Sequence, residues 1–130
     1  MIVVDASALL AILLDQPEGP EMRERLLHAD GALLSPVGYW EATTRLRSFR
    51  AASPARLDRL LAELRVTIFP ASETTAKLAT LAETRFGKRT PAKLNLGDCF
   101  AYALTREVDA PLLYKGDDFS RTDVKSALPA

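Results

Sequence analysis

Short apolar runs alternate with longer amphipathic stretches along this 130-residue chain. Met1-Ile2-Val3-Val4 has no polar residue and is rich in β-branched side chains, which predicts a buried parallel strand ending at Asp5. Ser7 to Leu14 predicts a helix, closed by the breakers in Gln16-Pro17-Glu18-Gly19-Pro20. A second helix starts at Pro20, carries Met22, Leu26 and Leu27, and stops at Asp30-Gly31. Ala32-Leu33-Leu34 is the next strand. Ser35-Pro36 follows as an N-cap and a first-turn proline, opening a helix through Trp40, Glu41 and Leu46.

Ser53-Pro54 repeats that start signal for a helix to about Leu64. Val66-Thr67-Ile68-Phe69 is the most strand-like segment by composition. From Ser72 to about Phe86, Leu78, Ala79, Leu81 and Ala82 recur at helical spacing. A basic loop, Gly87 to Pro91, leads to Asn95, which caps a helix through Asp98, Phe100, Ala103 and Leu104. Leu112-Leu113-Tyr114 is the last strand. Strands alternating with helices predict a three-layer α/β/α fold around a central parallel sheet of four to five strands. No linker or repeat divides the chain, so residues 1–130 read as one domain.

Composition narrows the function classes. Seventeen Lys+Arg balance 17 Asp+Glu, so only a local patch can grip a polyanion. One cysteine, Cys99, excludes a disulfide framework and a thiolate zinc cluster and fits a reducing cytosol. The single histidine, His28, removes any mechanism needing two imidazoles. The longest apolar run, Ala8 to Leu14, is seven residues, against the roughly 20 of a membrane span. No Lys or Arg precedes Arg23, which argues against a signal peptide. A cytoplasmic location without membrane attachment is expected.

In open parallel sheets, sites form beyond the carboxyl ends of strands. Asp5, Glu41, Asp98 and the pair Asp117-Asp118 all fall at or just past such ends. Each has a local explanation: Asp5 as a helix cap, Asp98 as a first-turn acid, Glu41 as a partner of Arg45, and the aspartate pair as turn residues beside Gly116. Jointly placed, they would repel unless a cation compensates. Oxygen ligands without His or Cys select Mg²⁺ or Mn²⁺, ions that suit phosphodiester hydrolysis by an activated water.

Three segments carry a resemblance that covers essentially the whole chain. Val3-Val4-Asp5-Ala6-Ser7-Ala8-Leu9, Asn95-Leu96-Gly97-Asp98-Cys99-Phe100-Ala101-Tyr102-Ala103 and Leu112-Leu113-Tyr114-Lys115-Gly116-Asp117-Asp118-Phe119 resemble the motifs of PIN-domain ribonucleases, and more narrowly the VapC toxins of bacterial toxin–antitoxin pairs. The middle segment is the most specific. The resemblance implies a PIN-like fold and a Mg²⁺-dependent endoribonuclease, with Asp5, Glu41, Asp98 and Asp117 as catalytic, metal-binding acids. Asp118 is the rival for the fourth position. Ser7 matches the small hydroxyl residue that supports a carboxylate, while Tyr114 departs from the Thr that many members carry. The resemblance further implies an RNA substrate, a cognate VapB-type antitoxin and a homodimer.

Arg85, Lys88, Arg89 and Lys93 place four cations within nine residues before the Asp98 helix. They form either an RNA-backbone contact or a solvated loop. The first helix carries Leu9, Leu10, Ile12, Leu13 and Leu14, an arc wide enough to pack on the sheet and also receive a partner. Two rivals remain at this stage: a small metal-dependent phosphatase of the acidic-site α/β type, and a non-catalytic binding module. Asp5-Ala6-Ser7 lacks the second Asp that an aspartyl-phosphate enzyme wants.

Overall fold

The computed structural model describes residues 1–49 and 53–129. Strands β1 (Ile2–Val4), β2 (Ala32–Leu34), β3 (Val66–Ile68) and β4 (Leu112–Leu113) form a wholly parallel sheet in the order β3-β2-β1-β4. Between them run helices α1 (Ala6–Leu13), α2 (Gly19–Leu27), α3 (Pro36–Leu46), α4 (Pro54–Glu63), α5 (Glu73–Phe86) and α6 (Leu96–Val108). Beyond β4, Ser126 makes one isolated parallel bridge to Leu112. The expected four to five strands are therefore four plus a single bridge.

The period-2 alternation of the strands sorts the helices into two layers. Ile2, Val4, Leu34 and Leu113 face a core built with Leu9, Met22, Leu26, Leu46, Leu57 and Leu61, which come from α1 to α4. Val3, Leu33 and Leu112 face the other way, against Ala79, Ala82, Tyr102 and Leu104 of α5 and α6. Strand β3 lies at an edge, and its Thr67 and Ile68 are exposed.

Local chemistry sets the helix starts. Ser35 accepts hydrogen bonds from the backbone N–H groups of Val37 and Gly38 with Pro36 in the first turn, and Ser72 and Thr75 form a reciprocal cap on α5. The sheet order has a functional consequence. The chain steps outward from β1 to β2 and β3, then returns to place β4 on the opposite side of β1. That reversal leaves a crevice at the carboxyl ends of β1 and β4, where ligands bind in such sheets.

Candidate active site

Asp5 leaves β1 and caps α1. Its Oδ2 accepts the Ser7 backbone N–H at 3.1 Å and the Ser7 hydroxyl at 2.6 Å. The Ser7 oxygen in turn accepts the Lys115 backbone N–H at 3.0 Å, tying the end of β1 to the loop after β4. Asp98 repeats the arrangement on α6. Its Oδ2 accepts the Asn95 backbone N–H at 3.0 Å while Asn95 accepts the Asp98 N–H at 2.8 Å. Asp5 is thus a helix cap and Asp98 the first-turn acid of a capping box, as local reading of the sequence suggests. Each cap occupies one carboxylate oxygen only, and among the described residues Oδ1 of each takes no protein donor.

Glu41 comes from α3 and meets α6 at Gly97. A Cβ on Gly97 would stand 2.7 Å from Glu41 Oε1 and 2.9 Å from Oε2. The glycine in the middle motif therefore makes room for a carboxylate, and its place inside a helix, unfavourable by propensity, has a steric reason. Asp118 arrives from the loop after β4. A small cleft of about 90 Å³ is lined by Asp5, Ser7, Glu41, Arg45, Asn95, Asp98 and Asp118.

The electrostatics follow from that crowding. Burial pushes the Asp5 carboxyl up to about 6; the Ser7 hydrogen bonds oppose the rise, and the charges of Glu41 and Asp118 add to it. Burial also pushes Asp98 up to about 6, against the Asn95 hydrogen bond and with help from Asp5 and Asp118. Glu41 is raised by burial and then by Asp98, while Arg45 one turn on opposes the shift. Asp118 bears on all three. Desolvated carboxylates repelling one another form a site that a cation would relieve.

Asp117 and Asp118, the two candidates for the fourth acid, differ in placement. In the turn after Gly116, Asp118 lines both the acidic cleft and a neighbouring cavity, whereas Asp117 lines the neighbouring cavity and not the cleft. The expected basic patch divides too. Arg85 lies 3.5 Å from Asp123 and covers the Phe86 ring, while Lys88 reaches the Lys93 carbonyl and tempers the rise at Asp98. Arg89 is exposed, and Lys93 borders the same neighbouring cavity as Asp117. Arg45 belongs to the cleft, a role hidden in the sequence behind its helical spacing from Glu41. Trp40, beside Glu41, is 65% exposed. Tyr114 packs its ring on Phe119 at 5.1 Å, bracing the loop that carries Asp118.

The donor set is oxygen throughout, with no histidine or thiolate among the lining residues. Among the described residues, no three of His, Cys, Asp and Glu close into a ready-made coordination shell. Separated carboxylates fit Mg²⁺, which keeps most of its waters and uses one or two protein carboxylates with substrate phosphate. They do not fit a structural zinc site.

Comparison with known proteins gives concordant results. A family model of the PIN domain matches residues 2–125. Ribonuclease VapC28 of Mycobacterium tuberculosis is 40% identical over 129 residues, covering 97% of each chain. A VapC ribonuclease of Rhizobium meliloti is 41% identical over 141 residues, covering 95% of this chain and 99% of its own. Among solved structures, VapC20 of Mycobacterium tuberculosis, described as a toxin cleaving the sarcin–ricin loop, superposes with a TM-score of 0.80 at 15% identity. That match covers 99% of this chain and 100% of the other, and it speaks to the fold.

Proposed function

Because the chain belongs to the PIN-domain family, among the VapC ribonucleases, we propose that it is a Mg²⁺-dependent endoribonuclease acting as the toxin of a toxin–antitoxin pair. The observation that carries this reading is the gathering of Asp5, Glu41, Asp98 and Asp118 at the β1/β4 crevice, three of them raised by burial and by one another. Asp5, Glu41, Asp98 and Asp118 would hold the ion. When bound, Mg²⁺ supplies an acidified water and neutralises phosphate charge.

This chain's own residues do the rest. Ser7 fixes the Asp5 carboxylate by its 2.6 Å hydrogen bond and joins it to the β4 loop. The Asn95–Asp98 cap fixes the second carboxylate, and Gly97 seats the third. Among the described residues, Arg45 is the cation of the cleft lining, suited to a phosphodiester.

The toxin pairs with a VapB-type antitoxin and forms a homodimer in the cytoplasm. Ile12, Leu13 and Leu60 line a groove of about 220 Å³ whose rim carries Arg56, Arg59 and Arg23, the last paired with Glu63, a seat for an apolar antitoxin segment. No helix among the described residues is long and apolar enough to cross a membrane. The test sets total cellular RNA against a phosphomonoester such as p-nitrophenyl phosphate. The expected result is RNA fragments at discrete positions in Mg²⁺, none in chelator, and no monoester turnover. Monoester hydrolysis with intact RNA would instead support the phosphatase.

A further inference from the structure

The acidic cleft, at about 90 Å³, has room for a phosphate and its ions but not for the nucleotides on either side. A strand cut there has to continue over neighbouring surface. One wall of the cleft, Asp118, is shared with a second cavity of about 450 Å³, which is within the roughly 300–1,000 Å³ range of small-ligand sites. That cavity is bordered by Lys93, Ser120 and Arg121 with Asp117.

Its two sides come from loops far apart in sequence and are held together. Arg121 donates through Nη1 to the Pro91 carbonyl at 3.1 Å, joining the loop before α6 to the loop after β4. Ser120 donates to the Asp117 carbonyl at 2.6 Å, and the Phe86 carbonyl takes the Leu94 N–H at 2.8 Å. Neither Lys93 nor Arg121 has a carboxylate within ion-pair distance among the described residues, whereas Arg85 and Arg106 are both committed to Asp123. Lys93 and Arg121 share the cavity's rim with Asp117 and with Asp118, which it has in common with the cleft. A guanidinium and an ammonium on a common rim suit a phosphate oxyanion.

The geometry points to this cavity as the seat of an RNA phosphate adjoining the one that is cut, with Lys93 and Arg121 as its ligands. The inference rests on the nuclease reading and adds to it the side on which the strand leaves the cleft. Binding residues outside the cleft govern affinity and register, leaving the chemistry to the acids.

The test uses the full chain and a fluorescent single-stranded RNA 20-mer of mixed sequence. Binding is measured by anisotropy in chelator over a salt series, and cleavage in Mg²⁺. Lys93→Gln with Arg121→Gln is compared with Arg106→Gln. Arg106 lies in the last turn of α6, about 12 Å along the helix from Asp98. Each phosphate contact on a single strand contributes a slope of about 0.7 in log affinity against log salt. The double variant is expected to lose between about 0.7 and 1.4 of slope, and to need more RNA for half-maximal cleavage while cutting at a similar rate when saturated. Arg106→Gln is expected to keep the parent slope. Equal slopes for parent and double variant, with parent cleavage intact, would overturn this proposal alone. A slope lost equally in Arg106→Gln would reduce it to a general charge effect and overturn it as well. A parent that cuts no RNA would remove the nuclease reading and this inference together.

Discussion

Replacing Asp5 by Asn tests the electrostatics of the site in the absence of metal. Folding carries the Asp5 carboxyl from 3.8 to about 6, mainly through burial. At 1.36 kcal/mol for each tenfold, holding it ionised in the fold costs about 3 kcal/mol. The sign follows from proton binding. Below pH 3.8 folded and unfolded chains both carry the neutral acid, and the cost is absent. Between 3.8 and 6 the fold keeps a proton that the unfolded chain has released, so stability falls as pH rises; above 6 the loss is complete. Asn removes the charge but still offers an oxygen to the Ser7 N–H and hydroxyl, at a cost of about 1 kcal/mol for the weaker acceptor. The expected balance at pH 7.5 in chelator is a gain of about 2 kcal/mol, worth about 3–5 °C in Tm per kcal/mol at this chain length. At pH 4 the gain vanishes or reverses. Thermal and urea unfolding at both pH values, with chelator throughout, measure it. A variant no more stable than the parent at pH 7.5, or equally favoured at both pH values, would refute the argument.

The adjacent aspartates separate cleanly by substitution. Asp118→Asn should lose at least about a hundredfold in Mg²⁺-dependent RNA cleavage, more than the loss of a supporting partner, while Asp117→Asn should stay within about tenfold of the parent. Comparable losses would return Asp117 to the cleft. Gly97→Ala should keep or raise Tm, since Ala is better in a helix by about 1 kcal/mol, yet cut RNA far more slowly, because its Cβ would meet Glu41 Oε1 at 2.7 Å. Stability and cleavage falling together would show that Gly97 serves the fold rather than Glu41.

The sequence discloses the architecture well because its signals are local. Ser35-Pro36, Ser72 and Asn95 each sit at the helix start they predict, and the apolar runs become strands. The acids Asp5, Glu41 and Asp98 are legible because strand ends in a parallel sheet share one edge. What stayed hidden depends on the third dimension. A turn of one residue decides between Asp117 and Asp118, and no periodicity reports it. Arg121 approaches Pro91 across 30 positions of sequence. Arg85 belongs by spacing to a basic patch, but its partner is Asp123, brought alongside by the chain beyond β4. Helix-cap and cluster readings of Asp5 and Asp98 also looked like alternatives, whereas each cap uses only one of two carboxylate oxygens.

That double use makes Asp98→Asn the most direct test of the central claim, that these acids form a metal-dependent catalytic cluster beyond their service as caps. The amide keeps an oxygen for the Asn95 N–H and loses only a helix-dipole interaction of about 0.3–1 kcal/mol. It is a poor ligand for a hard dication. The measurement pairs Tm in chelator with RNA cleavage in excess Mg²⁺ on the same preparation. The account predicts a variant at least as heat-stable as the parent without metal and devoid of cleavage. A variant that melts far below the parent, yet whose folded fraction cuts RNA at the parent rate, would contradict it.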